Sequence, residues 1–212
     1  MSNVARADEE LLIARSQRGE VQAFNQLVLQ YQQTLYGAVF RLVGNYDVAS
    51  DVTQDAFLAA FRAIKSYRGG SSFKAWLLRI GTNMACDHWR RIQRQRSESL
   101  EILTDEEELH SPELLSALAA TDLEANPELY LLTQELQSYI QQGLEQLPLD
   151  QRTAIVLCDI EGLTYEEVAE IMQIPLGTVR SRISRGRTRL RNFLMQHREL
   201  LPRTYRHSTN GD

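Results

Sequence analysis

The chain has 212 residues, 43% of them hydrophobic and 24% charged, with a net charge of −5 and a pI near 5.5. These values describe a globular protein long enough for one large or two small domains, and they exclude fibrous, collagen-like and wholly disordered chains. No apolar run approaches the ~20 residues that span a bilayer, and the start MSNVARADEELLIARSQRGE lacks the apolar stretch of a signal peptide, so a cytoplasmic protein without membrane insertion is expected.

Charge is unevenly placed. Residues 1–95 carry +4, residues 96–127 carry −8 and residues 128–212 carry −1, so the middle segment alone makes the chain acidic. This predicts two near-neutral or basic domains around an anionic connector. Cys86 and Cys158 stand far apart, outside any CxxC or Cys/His cluster, which favours small buried hydrophobes over a disulfide or metal role. His88, His110, His197 and His207 are scattered with no i, i+4 pair, and no cofactor or metal is expected.

In chain order, residues 8–17 and 21–43 read as helices, the second placing Phe24, Leu27, Val28, Tyr31, Leu35 and Val39 at steps of three and four. Gly44-Asn45 breaks that helix, and Asp47 is the candidate cap of the next, over 48–65. Its apolar face is Val48, Val52, Ala56, Ala60, Phe61 and Ile64; the opposite face shows Asp47, Asp51, Gln54, Asp55, Leu58 and Arg62. A Gly/Ser loop (66–72) precedes a helix over 73–95 that buries Phe73, Trp76, Leu77, Ile80 and Met84 and ends in the basic run HWRRIQRQR. Residues 96–127 lose periodicity, hold Pro112 and Pro127, and read as a linker with at most a short helix. Helical periodicity returns at 128–147 and 149–160, and no segment alternates as a half-buried strand would. The fold class is all-α, with two helical domains.

The stretch TYEEVAEIMQIPLGTVRSRISRGRTRLR (164–191) is the most informative. Thr164 and Glu167 have capping-box spacing, Val168, Ala169, Ile171 and Met172 form an inward face, and Pro175 interrupts the helix. Gly177-Thr178 opens a second helix with Thr178 as its expected N-cap and a seam of Val179, Ile183, Leu190 and Leu194. This is a helix-turn-helix pattern, whose second helix faces the major groove at its start. Arginine presents a planar donor fork suited to phosphate oxygens and to guanine. No acid lies between 171 and 198 to pair with the arginines, so DNA binding outweighs a solvated, salt-bridged face. With Val179 inward, Thr178, Ser181 and Arg182 are placed for base edges, and Arg180, Arg185, Arg187 and Arg189 for phosphates.

Two longer segments carry a family resemblance. DVTQDAFLAAFRAIKSYRGGSSFKAWLLRIGTNMACDHWRR resembles the second conserved domain of extracytoplasmic-function sigma factors, the smallest branch of the sigma-70 family. LPLDQRTAIVLCDIEGLTYEEVAEIMQIPLGTVRSRISRGRTRLR resembles that family's fourth domain. The resemblance implies a non-enzymatic promoter-recognition subunit of bacterial RNA polymerase, acting in a stress or envelope-signal response. It divides the chain into domain two (8–95, polymerase binding, minus-ten recognition and melting), the acidic linker (96–127), domain four (128–200, minus-thirty-five recognition) and a disordered tail (201–212).

The resemblance also implies roles for residues. Asp51, Gln54, Asp55 and Arg62 would face the polymerase clamp helices. Arg68, Lys74, Arg79, Arg90, Arg91 and Arg94 would form an anion-binding surface, with Tyr67 to stack on a flipped base and Asn83 to hydrogen-bond it. The implied partners are core RNA polymerase, promoter DNA and an anti-sigma factor, without homo-oligomerisation. Two other functions compete. A stand-alone helix-turn-helix regulator would need a dimerisation helix or a ligand pocket, and a recombinase would need a nucleophile or carboxylate cluster; neither signature is present.

Overall fold

The computed structural model describes residues 3–98 and 127–196, and among these every regular element is helical. The first segment folds as α1 (Asn3–Gln17), α2 (Val21–Val43), α3 (Tyr46–Ala63), a 3-10 turn (Ile64–Ser66) and α4 (Phe73–Glu98). The second folds as α5 (Pro127–Glu145), α6 (Leu149–Ile155), a π turn (Val156–Ile160), α7 (Tyr165–Met172) and α8 (Leu176–Gln196). α4 thus enters the stretch read as linker, while the short helix considered there and the tail at 201–212 lie outside the described residues.

α2 is the centre of the first unit. Phe24, Leu27, Tyr31, Leu35 and Val39 are all buried, as their spacing predicts, with Val28 partly covered at the edge. Each such side chain contributes about 1.5–3 kcal/mol on leaving water. The helix stops at Gly44, whose φ of 75° is open to glycine and whose N–H donates to the Phe40 carbonyl. Asn45, and not Asp47, caps α3: its Oδ1 accepts from the Val48 amide at 2.9 Å. The reason is positional, because α3 opens at Tyr46 and leaves Asp47 inside the first turn, where its charge favours the positive helix end.

α4 lies against both α2 and α3. Phe73 and Leu77 are buried, whereas Trp76, Ile80 and Met84 are only partly covered. Gly81 has a steric cause: a Cβ there would come within 2.5 Å of Leu35 Cδ1, so a larger residue would push α4 off α2. α1 is tied on by the Tyr31 hydroxyl, which donates to Glu9, and burial with that carboxylate raises the Tyr31 pKa. Gln17 at the end of α1 donates to the carbonyls of Ile64 (3.1 Å) and Tyr67 (2.8 Å), fixing the start of the loop before α4.

The two segments share one continuous apolar core. α4 packs on α7, and α2 packs on α5, α6 and the π turn. Arg152 of α6 crosses this seam with only 4% of its surface exposed. It donates to the Leu42 carbonyl (2.7 Å) at the end of α2 and to those of Glu145 (2.8 Å) and Leu147 (3.3 Å) at the end of α5. The carbonyl ends of two helices thus hold a buried cation, and burial lowers its pKa against the opposing pull of the Glu145 carboxylate. Beside it the buried Cys86 thiol meets Thr153 Oγ1 at 3.5 Å. Both cysteines are free, Cys86 buried and Cys158 partly covered. Among the described residues no helix is long and apolar enough to cross a membrane.

Candidate nucleic-acid interface

α7 begins with the capping box that the sequence predicts. Thr164 Oγ1 accepts from the Glu167 amide (3.2 Å), and Glu167 Oε2 accepts from the Thr164 amide (2.9 Å). Val168 and Ile171 point into the core, and the helix ends at Gln173 in the left-handed region (φ 54°), which turns the chain toward Pro175. α8 then starts at Leu176, so Thr178 is not its N-cap. The Pro175 carbonyl already accepts the amides of Thr178 (2.8 Å) and Val179 (3.1 Å), placing Thr178 inside the first turn. Val179, Ile183 and Gly186 form the buried edge of α8, with Leu190 partly covered. Gly186 lets this edge close onto α6, since a Cβ there would lie 2.8 Å from Ile155 Cγ1.

The arginines of α8 separate into two groups. Arg182 pairs with Asp150 of α6 at 3.0 Å, its side chain 25% exposed, and Arg187 is held by both oxygens of Asp159 in the π turn (3.0 and 2.6 Å). That bidentate hydrogen bond raises the Arg187 pKa. The absence of acids within 171–198 therefore does not leave these two unpaired, because their partners come from α6 and the π turn. Ser181 is engaged locally, donating to the Thr178 carbonyl (3.0 Å) and accepting from Arg185 Nη2 (3.1 Å). Arg180, Arg185 and Arg189 are exposed.

Three residues escaped the sequence reading. Ser184, Thr188 and Arg191 are exposed on the same helix. With Tyr165, Arg180 and Arg187 they line a notch of about 430 Å³ between α7 and α8. Their spacing from Arg180 (i+4, i+8 and i+11) is the signal that was available, masked by the density of arginines.

The first segment presents a second basic strip. Arg68, Asn83, Arg90 and Arg91 are exposed, and Arg90 pairs with Asp87 at 2.9 Å. Lys74 and Arg91 sit about 25 Å apart along α4, so these residues make a strip suited to an extended ligand rather than a pocket. Tyr67 is half-buried, its ring packed on Phe73 (5.7 Å, edge-on) and Trp76 (5.3 Å) and its hydroxyl donating to the Ser71 carbonyl. Lys74 and Arg79 are turned toward the second segment, where each meets a glutamate.

Asp51, Gln54, Asp55 and Arg62 are exposed along α3. Leu58, 49% exposed, lies among them on the rim of an apolar groove of about 810 Å³ between α2 and α3.

A helix-turn-helix with a cationic outer face, joined to a second helical unit bearing its own basic strip, is the arrangement of a DNA-binding protein. Comparison narrows the class. Residues 27–95 match the sigma-70 region 2 family and residues 137–190 match sigma-70 region 4. The chain is 41% identical over 179 residues to the RNA polymerase sigma-H factor of Pseudomonas aeruginosa, covering 84% of this chain and 90% of that protein. It is 40% identical over 184 residues to the ECF RNA polymerase sigma-E factor of Escherichia coli K12, covering 87% and 93%. Two solved structures share the fold at a TM-score of 0.61. One is the sigma factor RpoE of Bartonella quintana with the anti-sigma factor NepR (28% identity, 81% of this chain and 96% of that one). The other is CnrH with the cytosolic domain of CnrY (26% identity, 89% and 98%). The chain belongs to the extracytoplasmic-function sigma factors of the sigma-70 family.

Proposed function

We propose that this protein binds core RNA polymerase in the cytoplasm and directs it to initiate at specific promoters, in a response to stress or to envelope signals. The observation that carries this reading is the presence of both sigma regions, in order, with the cationic face of α8 pointing outward. In this reading residues 8–95 act as domain two and 128–200 as domain four. Thr178, Arg180, Ser181, Arg182, Arg185, Arg187 and Arg189 serve the minus-thirty-five element, with Arg180, Arg185 and Arg189 the readiest for phosphate. Arg182 and Arg187 would first exchange their carboxylates for DNA. Tyr67, Arg68, Lys74, Arg79, Asn83, Arg90 and Arg91 serve the minus-ten element, and Asp51, Gln54, Asp55 and Arg62 meet the polymerase.

The −8 charge of residues 96–127 suits a linker that occupies a channel built for nucleic acid and yields to the transcript. An anti-sigma factor is the expected regulator, because the structural relative from Bartonella quintana was solved in complex with one. The test is to mix the purified chain with core polymerase and genomic promoter fragments and map transcript starts. Promoter-specific initiation is the expected result. Tight duplex binding by the chain alone, with no such initiation, would replace this reading by a stand-alone helix-turn-helix regulator.

A further inference from the structure

We propose that the cavity enclosed by α2, α5 and the π turn binds a small planar oxyanion, a flat ring carrying a terminal carboxylate or phosphate, with Arg41 as the group that receives the anion.

The cavity holds about 440 Å³, a volume within the range of small-molecule sites. Tyr36 and Phe40 of α2 line one side, their rings near-parallel (7°) with centroids 6.3 Å apart. Ile140 and Leu144 of α5 and Ile160 of the π turn line the rest of the apolar wall. Such walls suit a flat apolar body. Gln33 and Gln137 add two side-chain amides that have no partner among the described residues, each able to donate and to accept at the edge of a ring.

The two charged residues of the lining stand in different states. Asp159 is committed to Arg187 through both oxygens, at 3.0 and 2.6 Å. Arg41 is partly buried and has no hydrogen-bond or ion-pair partner among the described residues. Burial lowers its pKa against the pull of Glu161, and that carboxylate is itself paired with Lys74 at 3.2 Å. A guanidinium drawn from water with no acceptor has lost hydration that the protein does not return. A carboxylate or phosphate entering the cavity returns it, in the bidentate geometry that arginine favours.

Gly37 points to the same group. Glycine within a helix is unfavourable relative to alanine, so its place in the middle of α2 calls for a cause. A Cβ there would stand 2.7 Å from Arg41 Nη1, so the missing side chain lets the guanidinium lie back over the preceding turn of α2, beside the cavity that Gly37 also lines.

Calorimetric titration of the full chain tests this with two anions, benzoate and GMP, each against its neutral counterpart, benzamide and guanosine. At least one anion should bind saturably at a single site, about tenfold tighter than its counterpart, and the one that binds tells a carboxylate ligand from a phosphate ligand. Arg41→Met should abolish that preference. Gly37→Ala should weaken the anion about fivefold while raising the urea midpoint, because the alanine favours the helix and displaces only the far end of Arg41. Arg18→Met, which removes an exposed arginine outside the cavity, should bind as the native chain does and controls for net charge. Unfolding curves confirm that each variant is folded, and Gly37→Ala keeps the test decisive if Arg41→Met does not fold. Binding of neither anion would overturn the proposal. So would equal affinity for an anion and its neutral counterpart, or anion binding that both Arg41→Met and Gly37→Ala leave unchanged, which would be adventitious. None of these readouts needs polymerase or promoter, so their failure leaves the sigma function standing.

Discussion

Gly186 sets how closely α8 lies on α6. An added methyl would meet Ile155 Cγ1 at 2.8 Å, Ile155 Cδ1 at 3.3 Å and the Gln151 carbonyl at 3.5 Å. Glycine to alanine inside a helix ordinarily gains about 1 kcal/mol of propensity. Overpacking a dense seam costs about 1–3 kcal/mol, and the neighbours here include backbone and a fully buried isoleucine. Gly186→Ala should therefore lower stability by about 1 kcal/mol net, read as a lower urea midpoint at unchanged slope. Gly177→Ala is the matched control: nothing lies within 4 Å of its Cβ, and it should raise stability by about 0.5–1 kcal/mol. Equal effects at the two positions would show that α8 does not seat on α6 at this distance.

At the scale of the element, α8 is a cationic helix only on part of its surface. Arg182 and Arg187 fasten it to α6 and the π turn through Asp150 and Asp159, while Arg180, Arg185 and Arg189 face outward. Each arginine that neutralises a promoter phosphate contributes about 0.9 to the log–log slope of affinity against salt. Arg180→Ala and Arg189→Ala should each reduce that slope by about 0.9 in holoenzyme binding measured across a salt series. Arg182→Ala should change it less and instead weaken the packing of α8, visible as a lower unfolding midpoint. The same distinction shows what the sequence could disclose. Helix 21–43 was legible to the residue because an apolar stripe and a terminal Gly are local signals, and so was the Thr164–Glu167 box. The start of α8 was misplaced because Pro175 supplies the first carbonyl while Thr178 has the better capping side chain. The pairs to Asp150 and Asp159, and the steric causes of Gly81 and Gly186, join residues distant in the chain and leave no periodic trace.

On the scale of the whole molecule, the proposed function keeps the two kinds of contact on different surfaces. In the proposed function the cationic face of α8 and the basic strip of α4 serve nucleic acid, whereas α3 presents a polar stripe beside an apolar groove against α2. Leu58 stands exposed in that stripe between Asp55 and Arg62, on the rim of the groove that Phe57 and Phe61 line from below. Where the proposed function sets α3 against the polymerase, an apolar side chain at the edge of such a groove is the natural anchor of the contact. Leu58→Asp puts a charge where the partner would bury a leucine, and Leu58 has few core neighbours to lose, so stability should change little. Affinity for core polymerase should fall about tenfold or more, as at an interface hot spot. Arg180→Ala should behave in the opposite way, keeping polymerase affinity while weakening promoter binding. Polymerase affinity that survives Leu58→Asp would assign the docking face elsewhere on the molecule. Parallel losses in the two variants would mean that polymerase and promoter contacts share one surface, against the separation seen between α3 and α8.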